Sequence, residues 1–305
     1  MLNSNGSWEL GVGSWGKYNF VFFGTSNFAV IVLDELKAGG YLPSLIITVP
    51  DSPQGRKQII TPSPVKLWAI EHNIPIEQPE KLLTPNSQLL TPNRDFGIVV
   101  DYGKIIPQKI IDIPKHGLLN VHVSLLPKFR GASPMQTAIL EGEAETGVTI
   151  MQVVKGLDEG DIIAQEKFDL ANWHPYFLEL ADKTAHAGGK LLVKILPDYL
   201  AGKITPIKQD NSKATFTRKF EVQDGFIKPE IVLGTETGEL AQKAERKVRA
   251  LNPEPGTWTE LKIRNTALRI KILKAHLEVD KFIPDTVIPA GKKEMSWQDF
   301  KNGNL

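Results

Sequence analysis

Cysteine is absent from all 305 residues. That excludes disulfides and thiolate metal sites, and it fits a reducing compartment. No apolar run approaches the roughly 18 residues needed to cross a bilayer, so no membrane partner is expected. Met1 to Lys17 lacks the basic start and apolar core of a secretory signal. Rich in Gly, Ser, Asn and Trp, it reads as a loose extension, and cytoplasmic residence is the default expectation. No charge dominates: 36 Lys+Arg face 35 Asp+Glu, a formal net charge of +1. A nucleic-acid partner must therefore be met by local patches rather than bulk charge. No repeat or low-complexity tract is evident.

What is present suits a globular chain of one large or two ordinary domains, 41% hydrophobic and 23% charged. Tyr18 to Phe23 reads as a buried strand, stopped by Gly24-Thr25-Ser26-Asn27. A helix over Phe28 to Lys37, capped by Ser26 or Asn27, ends at Gly39-Gly40, and Leu42 to Val49 is a second strand. This succession opens a doubly wound α/β sheet. Its turn is not Gly-x-Gly-x-x-Gly, so a dinucleotide is not implied. Further along, Pro64 to Asn73 reads as a helix and Phe96 to Asp101 as a parallel strand covered on both sides. Short helices are expected over Pro107 to Ile113 and Ser133 to Glu141. Val148–Val154 and Ile162–Phe168 form a hairpin around Lys155 to Asp161. Phe177 to Leu200 is a long helix, expected to be interrupted near Gly188-Gly189.

After residue 202 the pattern changes. Gly202 to Phe220 has little apolar periodicity and carries Lys203, Lys208, Lys213, Arg218 and Lys219 against one acid, Asp210. It reads as a basic linker. A helix over Glu239–Leu251 and β-like runs at Thr257–Ile263, Leu268–Ala275 and Asp285–Ile288 then predict a small β-rich domain, a barrel. The expected division is a loose extension over 1–17, a Rossmann-like domain over 18–202, a linker over 203–220 and an OB-like domain over 221–305.

The string Asn120-Val121-His122-Val123-Ser124-Leu125-Leu126-Pro127 carries the chemistry. On a strand, side chains alternate, so Leu119, Val121 and Val123 share one face and Asn120, His122 and Ser124 the other. Two residues of rise, about 6.6 Å, let one pocket receive both the amide and the imidazole. Pro127 ends the strand because proline cannot donate to a ladder. A lone strand histidine is ordinarily structural, and Asn near a strand end is ordinarily turn chemistry. The longer string is what shifts the balance.

With these residues laid out, the chain resembles the 10-formyltetrahydrofolate-dependent formyltransferases, and among them the initiator-tRNA enzymes. The resemblance rests on Phe23-Gly24-Thr25, Thr61 to Lys66, Val99 to Pro107, the Asn120 string, Glu145 to Gln152 and Gly156-Leu157-Asp158-Glu159-Gly160-Asp161. The stretches Arg249 to Trp258 and Gly291 to Phe300 resemble the C-terminal domain of the initiator-tRNA enzymes.

The resemblance implies formyl transfer from 10-formyltetrahydrofolate, as co-substrate, to the methionine amine of initiator methionyl-tRNA. It implies an OB-like C-terminal domain suited to nucleic acid, and a monomer. The alternative acceptor is an amino sugar on a nucleotide. Such a transfer needs a donor to the developing oxyanion, a proton for the departing nitrogen and a base for the ammonium. The resemblance assigns Asn120, His122 and Asp158 to these tasks. It puts the folate against Tyr102, Gly103, Ile105 and Ile106, and against Ser124, Leu125, Leu126 and Pro127. It puts tRNA against Arg56 and Lys57, in a loop with fewer bases than is usual. The excess of bases before the OB-like domain adds Lys213, Arg218 and Lys219 as expected tRNA contacts, with a solvated linker as the alternative. Asp158, Glu159 and Asp161 lack the register of a known cation loop, and no metal is expected. Arg130 is expected to orient its loop, to meet an anionic group or to form a structural ion pair. His72, His116, His174, His186 and His276 are expected to be structural or exposed.

Overall fold

A computed structural model describes residues 18–55, 57–82, 87–91, 93–264 and 266–304. The extension over 1–17 and Arg56 lie outside the described residues. In chain order the elements are β1 (Phe20–Gly24), α1 (Asn27–Ala38), β2 (Leu45–Ile47), β3 (Ser52–Gln54), β4 (Ile59–Thr61), α2 (Pro64–Glu71), β5 (Ile76–Glu77), β6 (Phe96–Val100), α3 (Gln108–Ile111) and β7 (Leu118–His122). They continue with β8 (Arg130–Gly131), α4 (Pro134–Glu141), β9 (Glu145–Gln152), β10 (Ile162–Asp169), α5 (Phe177–Leu200), β11 (Phe216–Thr217), α6 (Pro229–Val232), α7 (Glu239–Leu251), β12 (Thr257–Ile263), β13 (Thr266–Glu278), β14 (Lys281–Pro289), β15 (Met295–Ser296) and α8 (Trp297–Asn304). Two compact units emerge. One takes in residues 1–127, 148–166 and 182–212, and the other 128–147, 167–181 and 213–305, so the division cuts within β9, β10 and α5.

The first unit is built on a seven-stranded sheet in the order β10-β9-β7-β6-β1-β2-β5. The pairs β7–β6, β6–β1, β1–β2 and β2–β5 are parallel, and β7–β9 is antiparallel. This is the mainly parallel α/β sheet that the sequence predicts. From β1 the chain winds outward through β2 to β5, then returns to the other side of β1 as β6 and β7. The order therefore reverses between β1 and β6, where an open α/β sheet leaves a crevice beyond its strand ends.

Register fixes what each face carries. Phe22, Ile98 and Leu119 lie side by side on β1, β6 and β7, and Val121 continues their face. Gly188 of α5 packs there: a Cβ on it would stand 2.6 Å from Cγ1 of Val121 and 3.3 Å from Cγ2 of Val148. The opposite face buries Val21, Phe23 and Leu118 with Ile110 and Ile111. On β7 that face begins with Leu118 and continues as Asn120 and His122. The polar pair thus occupies the strand's C-terminal half.

Helix α5 runs unbroken from Phe177 to Leu200, which corrects the interruption expected at Gly188-Gly189. Those glycines permit close approach instead, Gly189 to Glu35 of α1 and Gly188 to Val121. The segment after residue 202 pairs with the start of β10. Ile207 exchanges two 2.8 Å backbone hydrogen bonds with Ile162.

In the second unit, β12, β13, β14 and β15 form an antiparallel sheet in that order. Its core joins Leu261, Ile270, Ile272, Phe282 and Val287 to Ala241, Ala244 and Val248 of α7 and to Trp297 and Phe300. The α7 residues follow helical spacing, the condition for an amphipathic helix lying on a sheet. Asn252 holds the helix end to the sheet, donating to the carbonyls of Val248 and Ile272, each at 3.0 Å. β11 pairs in parallel with β8. Just beyond it, Arg218 donates to both carboxylate oxygens of Asp224, at 2.7 and 2.5 Å. Arg218 first, and then the Glu221 N–H, hold the Asp224 carboxyl down at about 2.

The packing at Gly188 can be tested directly. Gly188→Ala gains about 1 kcal/mol of helix propensity but sets a methyl against a buried, β-branched side chain, an overpacking cost of about 1–3 kcal/mol. A net loss is expected, read as a lower melting temperature; an unchanged or raised value contradicts it. The Asp224 carboxyl titrates below its ordinary 3.8. Its stabilisation is therefore complete above that value and is lost as pH falls through about 2. Melting curves of wild type and Asp224→Asn are expected to differ at neutral pH and converge in acid; an equal gap at both ends rules out the pairing as the cause.

Candidate active site

β7 delivers two polar side chains to one face because its neighbours hold both edges. Val99 of β6 stands beside Asn120, while Met151 and Thr149 of β9 stand opposite Asn120 and His122. His122 is buried. Asn120 is half-buried, and its amide has no hydrogen-bond partner among the described residues.

The third group arrives from the loop between β9 and β10. Oδ2 of Asp158 lies 3.7 Å from Nδ1 of His122, with the side chains 19% and 6% exposed. This is ion-pair range, slightly longer than a hydrogen bond, and catalytic contacts commonly tighten only when substrate binds. The loop reaches His122 through an unusual backbone. Asp158 adopts a left-handed φ of +48°. Gly160 passes so close to β9 that a Cβ would sit 1.8 Å from the carbonyl oxygen of Gln152. Glycine is the residue that fits there.

The segment after β7 is fixed by two side chains, Thr149 of β9 and Gln165 of β10. Thr149 donates to the Ser124 carbonyl at 2.6 Å and accepts the Leu126 N–H at 3.2 Å. Gln165 donates to Thr149 Oγ1 at 2.8 Å and to the Leu126 carbonyl at 3.0 Å. The Leu126–Pro127 peptide bond is cis. Ser124 is fully buried, and Leu126 packs with Met151 and Ile162.

The loop after β6 lies at the reversal of strand order, beside the end of β7. Asp101 and Gly103 turn it with φ of +44° and +74°. Its first aromatic, Tyr102, points inward: the ring packs edge-on against Phe23 at 5.5 Å, and burial pushes its hydroxyl up to about 12. Ile106 is half-buried against the same core, whereas Ile105 is 92% exposed. The Tyr102 carbonyl accepts from Thr25 at 3.3 Å, linking this loop to the one after β1. Next to Thr25, the Ser26 hydroxyl is buried with no partner among the described residues.

The remaining sequence-predicted residues fall elsewhere. Lys57 is exposed in the turn between β3 and β4. Lys213, Arg218 and Lys219 are exposed in the second unit, with Arg218 committed to Asp224. Arg130 is buried there, on β8. Three of the other histidines have local partners: His72 meets Lys37, His186 meets Glu35 and His276 meets Asp285. Among the described residues no group of three or more His, Asp or Glu could hold a metal ion, and no helix is long and apolar enough to cross a membrane.

An unengaged amide, a buried imidazole and a nearby carboxylate at a strand end, beside the crevice of a doubly wound sheet, can steady a growing negative charge and move a proton beside it. Residues 18–196 match the formyl transferase family. The methionyl-tRNA formyltransferase of Listeria innocua is 37% identical over 309 residues, 93% of this chain and 95% of its own. Among solved structures, the methionyl-tRNA formyltransferase of Clostridium thermocellum has a TM-score of 0.55 at 19% identity, over 89% of this chain and 98% of that one. An N-formyltransferase of Helicobacter canadensis, in complex with folinic acid and dTDP-3-aminofucose, has a TM-score of 0.62 at 20% identity, over 86% and 88%. At these identities the two structures speak for the fold alone. The family match over more than half the chain, together with the end-to-end likeness to the Listeria protein, makes this chain a member of the formyl transferase family, in its methionyl-tRNA formyltransferase branch.

Proposed function

We propose that this protein is an enzyme that transfers the formyl group of 10-formyltetrahydrofolate to the amino group of methionine on initiator methionyl-tRNA. The observation that carries the reading is the approach of Asp158 to His122, at 3.7 Å, on the face that also bears Asn120. Identity of 37% to a methionyl-tRNA formyltransferase along nearly the whole chain selects the acceptor.

Each residue has one task. Asn120 donates its amide N–H to the formyl oxygen as negative charge grows there; one preorganised donor of this kind is worth about 3 kcal/mol of barrier. His122, as imidazolium, polarises the same oxygen and then gives its proton to the departing folate nitrogen. Asp158 stabilises that imidazolium and, through water, takes a proton from the attacking ammonium; the second proton that nitrogen loses replaces the one His122 gave up. Backbone groups of Gly103 to Ile106 and of Ser124 to Pro127 line the place for the flat co-substrate. The exposed side chains of Ile105 and Leu157 supply apolar walls. With its ring in the core, Tyr102 contributes through its main chain. The unpaired Ser26 hydroxyl and Asn120 amide fit a hydrogen-bonding occupant of this crevice.

Arg56, Lys57, Lys213 and Lys219 meet the tRNA backbone. Arg218 contributes less than its charge suggests, because Asp224 already holds it. We assign the tRNA-binding role to the 221–305 domain together with its preceding linker, and read the protein as a cytoplasmic monomer with no resident metal.

An amino sugar on a nucleotide is the competing acceptor, suited to the same chemistry. Purified protein is expected to formylate charged initiator tRNA from 10-formyltetrahydrofolate and to leave a dTDP-amino sugar untouched. Formylation of the sugar alone overturns the assignment. His122→Ala is expected to lower kcat by roughly 10²–10⁴-fold with tRNA affinity little changed; wild-type turnover in that variant removes His122 from the mechanism.

A further inference from the structure

The segment after residue 202 contains a buried amide that the proposed reaction does not use. Gln209 is 6% exposed. Its Nε2 donates to the carbonyl of Asp158 at 2.9 Å and to that of Gly160 at 2.7 Å. Both hydrogens of the amide are thus spent on the loop that carries the candidate carboxylate. We infer that Gln209 is a positioning residue: its bridge to the two carbonyls holds the left-handed turn at Asp158 and so aims that carboxylate at His122.

A non-glycine residue at φ +48° is held against its own preference by its surroundings. Around this loop, the Gln152 N–H bonds to the Asp161 carbonyl at 2.9 Å, and Ile207 pairs with Ile162. Those contacts secure the loop's base. Gln209 reaches the turn itself, at the carbonyl of Asp158 and, two residues further along, at that of Gly160. It comes from a different part of the chain, fixed in place by the Ile207–Ile162 bridge two residues earlier. Rotating the Asp158 peptide would break the 2.9 Å bond and swing the side chain away from the imidazole.

The inference rests on the proposed formyl transfer for its kinetic readout, and a second readout is independent of it. With 10-formyltetrahydrofolate and charged initiator tRNA, Gln209→Ala is expected to lower kcat by about 10- to 100-fold, the scale of a misplaced catalytic group, with both KM values within about threefold. Gln209→Glu, which keeps the length and loses the donors, is expected to do the same. In an Asp158→Asn background, Gln209→Ala is expected to add almost nothing, since its effect passes through a carboxylate already removed. A kcat close to wild type in both single variants, or a full further loss on top of Asp158→Asn, overturns the role. Crystal structures of wild type and Gln209→Ala decide it without any assay: the variant is expected to lose the left-handed φ at Asp158 and the approach to His122. Retention of both overturns the inference. If the unaltered protein formylates neither acceptor, the functional proposal fails and the crystallographic comparison still rules on Gln209.

Discussion

The site stands or falls with the placement of the Asp158 carboxylate 3.7 Å from the His122 ring. Water competes strongly for both groups, so proximity in the fold must be imposed by backbone already committed elsewhere. Three commitments do this. The antiparallel register of β7 with β9 sets Thr149 opposite His122 and sends β9 on toward the loop. The contact of Gly160 with the Gln152 carbonyl folds the loop back on its own strand. The left-handed turn at Asp158 then points the side chain inward. A slip of one residue in β7 would exchange His122 for Val121 on the polar face, and the packing of Val121 against Gly188 opposes that slip.

The same sheet supplies the crevice. The winding reverses between β1 and β6, the loops after both strands are joined by the Thr25 hydroxyl, and the loop after β6 turns sharply at Asp101 and Gly103. Tyr102 roots this loop in the core while Ile105 stands in solvent. Side chains from β9 and β10, Thr149 and Gln165, brace the segment after β7 in the same way. The groups proposed to do chemistry are therefore carried by, or tied to, regular structure, which preserves their geometry against thermal motion.

Helices and strands are legible in the sequence where local signals are strong. α7 spans Glu239–Leu251 and β12 spans Thr257–Ile263, both as periodicity predicts. The helix expected from Pro64 begins there as α2, where Ser63 Oγ accepts the Lys66 N–H at 3.1 Å. Glycine misleads at α5, because low helix propensity and close packing leave the same mark in a sequence. The short hairpin of β3 and β4 and the helix α8 give no comparable signal, since the one is too brief for a period and the other mixes polar and apolar residues over eight positions.

The facing of Asn120 and His122 follows from the residue string alone, because strand alternation is a local rule that needs no knowledge of neighbours. So does the family, because the strings around Asn120 and Asp158 occur together in one chain. Which groups support them is a matter for the folded molecule. Thr149, Gln165 and Gln209 bond to carbonyls and amides far away along the chain, and a threonine or glutamine carries no periodic signal that names its partner. Folding, likewise, separates Tyr102, drawn into the core, from Ile105, left in solvent: both are large, mainly apolar side chains in one loop, and burial is a property of what surrounds them.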